Sequence, residues 1–277
     1  MPNWIRNNVE FSGNEEVIAR MKEEIKSEDR VIDFNKIAPI PIELVDTQSP
    51  TRIISQEEYD QQEERIAKGE LTDIEKQWGL SRGLTQELAD EYRAKFGHSD
   101  WYGWQNANWG TKWNASDSED YGDFIEFNTA WATPFDLLVA LSKKYPEVRF
   151  SVRYADEDFG HNVGEFVLQN GEEVECNIPE GGTYEAYVMA MDIQYGGVDE
   201  YFDCNEETFN ELWDDEEELG NYISMMIDIA YDHDCYPYED CEYHKLVLER
   251  FKEKAMADEK DELVALIQKE LDKVIEE

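Results

Sequence analysis

The chain has 277 residues, 41% hydrophobic and 13% aromatic, so a sizeable core can form and disorder throughout is excluded. Its net charge is −41, from 25 Lys+Arg against 66 Asp+Glu, and that field repels the phosphates of nucleic acid. No run approaches the roughly 18 apolar residues of a membrane span. The opening "MPNWIRNNVEFSG" lacks the basic-then-apolar order of a secretory signal, so a cytoplasmic location is expected.

Residues 4–13 mix apolar and polar positions as a half-buried strand does and stop at Gly13. Asn14 can N-cap the helix that follows, with Glu15 and Glu16 in its first turn and Val17, Ile18, Met21 and Ile25 at helical spacing. Residues 30–44, "RVIDFNKIAPIPIEL", read as a second strand running into a turn at Pro39 and Pro41. Residues 55–97 are charged and thinly apolar, and Gly69, Gly79 and Gly83 divide them into two or three short helices. An inserted helical lobe at about 45–97 is the expectation.

Residues 123–131 alternate as a strand. A helix is marked by Thr133 as N-cap, Pro134 at the first position and Pro146 beyond the end. Residues 147–158 read as a strand, and 163–177 as a hairpin turning at Asn170-Gly171. With the insertion removed, this order is the split β-α-β arrangement of an α+β, ferredoxin-like fold, expected over residues 1–179. Residues 180–277 form an acidic, largely helical C-terminal region: one or two strands over 183–205, helix with a break at Gly220, then an amphipathic helical stretch to the end.

Five of the eight tryptophans fall between Trp101 and Trp131. Trp109, Trp113 and Trp131 border a strand and the start of its helix, where large apolar area suits a core. Trp101, Tyr102 and Trp104 fall in a polar loop, where exposure is expected. A base-stacking platform needs a positive groove as well, and only Lys95 and Lys112 are near. Tryptophan faces with Asp and Asn also suit a sugar.

"NWGTKWN" (108–114), "FNTAWATP" (127–134) and "SKKYPEVRF" (142–150), with the opening "MPNW" and "VIDFNKIAPIP", resemble the YubB-type proteins of bacteriophages and plasmids. The resemblance covers roughly residues 1–165, with 42–97 loosely matched, and does not extend to the acidic part beyond residue 170. It implies a mobile-element origin and a ferredoxin-like core, and it implies no activity. The four cysteines lack cluster spacing, so iron and sulfur are not expected.

Charge is unevenly placed. Residues 1–153 carry 18 Lys+Arg and 29 Asp+Glu, residues 245–277 carry 7 and 10, and the 91 residues from 154 to 244 carry 27 Asp+Glu and no cation. A salt-adapted protein would spread its acids over the chain, yet residues 14–97 are rich in Lys and Arg. Within the tract, Asp214, Asp215, Glu216, Glu217 and Glu218 are consecutive and cannot all be paired on a helix. Asp199, Glu200 and Asp203 precede them, and Trp213 stands beside them as an aromatic anchor. A folded array of carboxylates can imitate the phosphates that a nucleic-acid-binding protein attracts.

His233, Cys235, Cys241 and His244 have zinc-ligating chemistry, but their spacing is not that of a standard finger. Asp156, Asp158 and Gly160 resemble part of a calcium loop but fail its ligand order. No phosphate-binding glycine loop, G-x-S-x-G or H-E-x-x-H occurs. The expectation is a non-enzymatic protein without cofactor, acting on a basic host nucleic-acid-binding protein such as a nuclease, a helicase or a restriction or CRISPR component. Two alternatives stay open: an adaptor acting through the C-terminal helix over 245–277, and a zinc-stabilised or metal-dependent enzyme.

Overall fold

The computed structural model describes residues 2–195, 249, 252, 253, 255–257 and 261–276. They fall into two compact units, residues 1–152 with 166–176, and residues 153–165 with 177–277. The fold is α+β, with one six-stranded sheet in the order β2-β3-β1-β4-β5-β6.

Strand β1 (Trp4–Ser12) buries Ile5, Asn7, Val9 and Phe11 on one face, as period-two alternation requires. Gly13 ends it at φ +140°, where a Cβ would come within 2.7 Å of the Glu147 carbonyl oxygen. Asn14 caps α1 (Glu15–Ile25) by accepting from the Glu16 and Val17 amides. Met21 and Ile25 are the buried positions of α1.

The expected strand over residues 30–44 is absent. Two four-residue helices, α2 (Phe34–Ile37) and α3 (Ile42–Val45), stand there instead. Side chains take the bonds a strand would have formed. Asn114 accepts from the Phe34 amide and donates to the Asp33 carboxylate, while Trp109 Nε1 donates to the Ala38 carbonyl. Pro39 and Pro41 also remove two donors that a ladder needs. The second strand of the fold is β2 (Ser116–Asp120), which pairs antiparallel with β3 (Phe124–Ala130).

Between α2–α3 and β2 lie four helices: α4 (Gln56–Ala67), α5 (Asp73–Trp78), α6 (Gln86–Phe96) and α7 (Trp101–Trp109). Ser55 and Thr72 close capping boxes with Glu58 and Glu75, and Thr85 and Asp100 cap α6 and α7. The left-handed Gly97 and Gly110 stop the last two. Gly69 and Gly79 divide α4, α5 and α6 as expected; α7 replaces the expected polar loop. Short parallel bridges, Thr47 to Arg82 and Ile53 to Leu84, tie the start of the insertion to the segment between α5 and α6.

Helix α8 (Phe135–Lys144) connects β3 to β4 (Arg149–Asp156), crossing β1, which lies between them. With the insertion set aside, β1-α1-β2-β3-α8-β4 in the order 2-3-1-4 is the ferredoxin-like split β-α-β topology. Pro134, not Thr133, is the N-cap residue of α8. Strands β5 (Val163–Gln169) and β6 (Glu172–Asn177) extend the sheet as a hairpin, with Asn170 at φ 52° and Gly171 at φ 76°, both left-handed as a type I′ turn demands.

The buried residues of the first unit include Ile5, Val9, Ile125, Phe127 and Phe150 of the sheet and Leu137, Leu138 and Leu141 of α8. Phe34 packs edge-on against both Trp109 and Phe127, so the insertion is anchored in the same core. In the second unit, the expected strand over 183–205 is replaced by helix α9 (Tyr184–Tyr195) as far as residue 195. Its Ala186, Met189, Ala190 and Ile193 repeat at helical spacing and pack on Ala155 and Val163. Helix α10 (Asp261–Glu276) buries Ile267 and Leu271.

Candidate functional site

The residues nominated for partner binding, Asp199, Glu200, Asp203, Trp213 and Asp214 to Glu218, lie outside the described residues. So do the candidate zinc ligands His233, Cys235, Cys241 and His244. Among the described residues no group of three or more His, Cys, Asp and Glu could hold a metal ion. The calcium-like loop is satisfied by the chain itself. Asp156 accepts from the Asp158 amide at 2.9 Å and from Asn162 Nδ2 at 2.8 Å, and its carbonyl accepts from Gln194 Nε2 at 2.5 Å.

The tryptophans divide differently from expectation. Trp109 is 1% exposed and belongs to the core, as read from sequence. Trp104, expected in an exposed loop, is buried by α7 and meets Trp109 edge-on at 6.0 Å. Trp113 and Trp131, expected in the core, are 36% and 53% exposed. Trp113 lies 5.9 Å from Trp4, with Lys112 Nζ 4.2 Å above its ring. Trp131 stands at φ 72°, a conformation unusual for a bulky residue. Three bonds hold that turn: the Trp131 amide to the Asn3 carbonyl, Thr111 Oγ1 to the Ala130 carbonyl and Thr129 Oγ1 to the Ala132 carbonyl. Thr129 in turn accepts from the buried Asn7 amide at 2.9 Å. Polar positions inside two strands gave no sequence signal of that support.

Several cations of the first unit are paired with carboxylates. Lys22 meets Asp120, Arg82 meets Glu63, Lys95 meets Glu43, and Lys144 meets Glu24. Tyr145 and Lys144 hold the Glu24 carboxyl below its ordinary range by hydrogen bonding. Arg65 grips Glu75 through both guanidinium nitrogens at 2.5 Å, and with the Thr72 amide this lowers the Glu75 carboxyl to about 2. In the second unit Arg153 meets Glu165 at 3.7 Å and also Asp192. It is the last cation before the tract, and no other follows until Lys245.

Strand β6 is the most exposed part of the sheet. All six residues are exposed, including the free thiol Cys176 and three glutamates. Slight desolvation by its neighbours and the charge of Glu173 raise the exposed Cys176 thiol above its ordinary range, which disfavours the nucleophilic thiolate.

Residues 108–199 match the family described as "Ferredoxin-like domain in Api92-like protein". The Api92-like match begins in α7 and takes in β2 to α9; β1, α1 and the rest of the insertion lie before it. Protein api92 from Yersinia pseudotuberculosis is a solved structure similar to this chain at 11% identity and a TM-score of 0.34, over 66% of this chain and 100% of that one. No curated protein matches the chain.

Proposed function

We propose that this is a non-enzymatic protein of mobile-element origin that blocks a basic, nucleic-acid-handling host defence protein through a DNA-mimicking acidic surface. The observation that carries the reading is the 91-residue tract, 154–244, with 27 Asp+Glu and no Lys or Arg. A protein that binds phosphates presents Lys and Arg, and the same field draws in carboxylates. The likeness of the N-terminal motifs to the YubB-type phage and plasmid proteins supports the mobile-element origin, and a protein of that origin would meet its target in the host cytoplasm. The pairing of cations in the first unit also supports it, since Lys22, Arg82, Lys95 and Lys144 are each engaged by a carboxylate. Asp214 to Glu218, with Asp199, Glu200, Asp203 and Trp213, are the proposed contact residues.

The test is capture of host proteins on the tagged full chain after nuclease treatment, with elution by a salt gradient. A stoichiometric nucleic-acid-binding partner is expected. Its affinity should fall steadily as salt rises from about 50 to 200 mM, because the attraction is between exposed charges. Lysine at all five positions from Asp214 to Glu218 should abolish the capture. Capture unchanged by those reversals would sink the reading.

A further inference from the structure

We propose that β6 is a docking edge that takes an extended, Lys/Arg-rich segment of a partner protein as a seventh strand. Among the described residues both ends of the sheet are edges, and the two differ in how they are protected. Strand β2 is broken by a register shift between Ser116 and Glu119, with Asp117 left-handed at φ 48°. Such irregularities stop a sheet from accepting another strand. Strand β6 runs at the other end, with every residue exposed. An edge strand leaves alternate N–H and C=O groups unpaired, and these are the groups an added strand bonds.

The edge is also held ready. Its hairpin turns through left-handed Asn170 and Gly171, and the Gly171 amide donates to Ser142 Oγ of α8 at 3.2 Å. At Gly171 a Cβ would come within 2.9 Å of Lys143 Cβ, so the turn sits close on that helix. A strand ordered before binding lowers the entropic cost of pairing.

Charge selects the occupant. Glu172, Glu173 and Glu175 line β6, with Arg149 meeting only Glu175 among the described residues. A second copy of β6 would set glutamate against glutamate, and like charges opposed across strands destabilise pairing. A strand with Lys or Arg at alternate positions reverses that sign opposite Glu173 and Glu175, and Val174, 48% exposed on the other face, offers an apolar contact to the residues between them. The inference relies on the proposed function for the basic character of the partner; the site itself is a different one.

The test uses the full chain and three capped octapeptides: alternating Lys-Val, alternating Lys-Pro with equal charge but no capacity to join a ladder, and alternating Glu-Val. Hydrogen exchange is followed at β6 and β2. Lys-Val should slow alternate amides within residues 172–176 by at least about tenfold and leave β2 unchanged. Glu-Val and Lys-Pro should give no such protection. Combined Glu172→Lys, Glu173→Lys and Glu175→Lys should remove it, in a variant whose melting shows that it is folded. Lysine substitutions from Asp214 to Glu218 should leave it intact, so failure of the proposed function is read separately. No protection by Lys-Val, equal protection by Lys-Pro, protection that survives the three reversals, or concentration-dependent protection without peptide would each overturn the proposal.

Discussion

Trp131 and Trp109 show how differently two tryptophans of one segment are used. Trp109 is enclosed by Phe34 and Trp104, and its indole N–H donates to Ala38 at 2.8 Å. Trp109→Ala should cost about 3–5 kcal/mol, the ordinary loss for a buried aromatic. Trp131 is mostly in solvent and holds φ 72°, which costs a non-glycine residue on the order of 1–3 kcal/mol. Trp131→Gly relieves that strain, loses modest apolar contact and adds unfolded-state entropy, so stability should change by less than about 1 kcal/mol. Urea denaturation of both variants checks the contrast. Comparable losses at the two positions would mean that Trp131 is a packing residue after all.

Helices α4 and α5 show what an ion pair does for an element with little core. Helix α4 has no buried residue. The Arg65–Glu75 clamp joins the two helices, with the Glu75 side chain only 10% exposed. The sign with pH follows from the lowered Glu75 carboxyl. Its stabilising contribution is complete above the ordinary glutamate value, 4.5, and is lost as pH falls through about 2. Glu75→Gln should bring the wild-type low-pH behaviour to neutral pH, seen as faster exchange of the α4 and α5 amides, with β1 and β3 unaffected. Exchange unchanged by the substitution, or by acid, would remove the clamp from the account. The division of this lobe into short helices is legible in the sequence at Gly69 and Gly79, whereas the caps Ser55, Thr72 and Thr85 and the stop at Gly97 are findings of the structure. Strand β2 was not legible. "SDSED" has no apolar alternation, since it lies at a sheet edge and buries nothing fully. The apolar run over 30–44 drew the strand assignment instead, although Ile32, Phe34 and Leu44 reach the core from turns and short helices. Helix α9 shows the converse: its Tyr and Val content suits strands, and packing on Ala155 and Val163 overrides that preference.

Across the whole chain, 66 Asp+Glu cannot be balanced by 25 Lys+Arg, which leaves a net charge of −41. In the first unit, pairing at 2.5–4.0 Å offsets much of the repulsion. Residues 154–244 hold no cation of their own, and among the described residues only Arg149 and Arg153 reach acids of the tract, at Glu175, Glu165 and Asp192. Two unit charges about 10 Å apart repel by roughly 0.4 kcal/mol in unscreened water, and many such pairs accumulate along the tract. At 10 mM salt the Debye length is about 30 Å, so most of these repulsions act; at 1 M it is about 3 Å, so they vanish while contact ion pairs are only weakened. Salt should therefore raise the melting temperature between those limits by about 5 °C or more, equivalent to a few kcal/mol in a chain of this size. A basic partner supplies the same relief in fixed form, so the melting shift it produces should be largest at low salt and shrink as salt replaces it. A melting temperature that stays flat or falls with salt would show that the acids carry no net strain. A partner would then gain nothing by relieving it, and the attraction would have to come from the partner's own excess of positive charge.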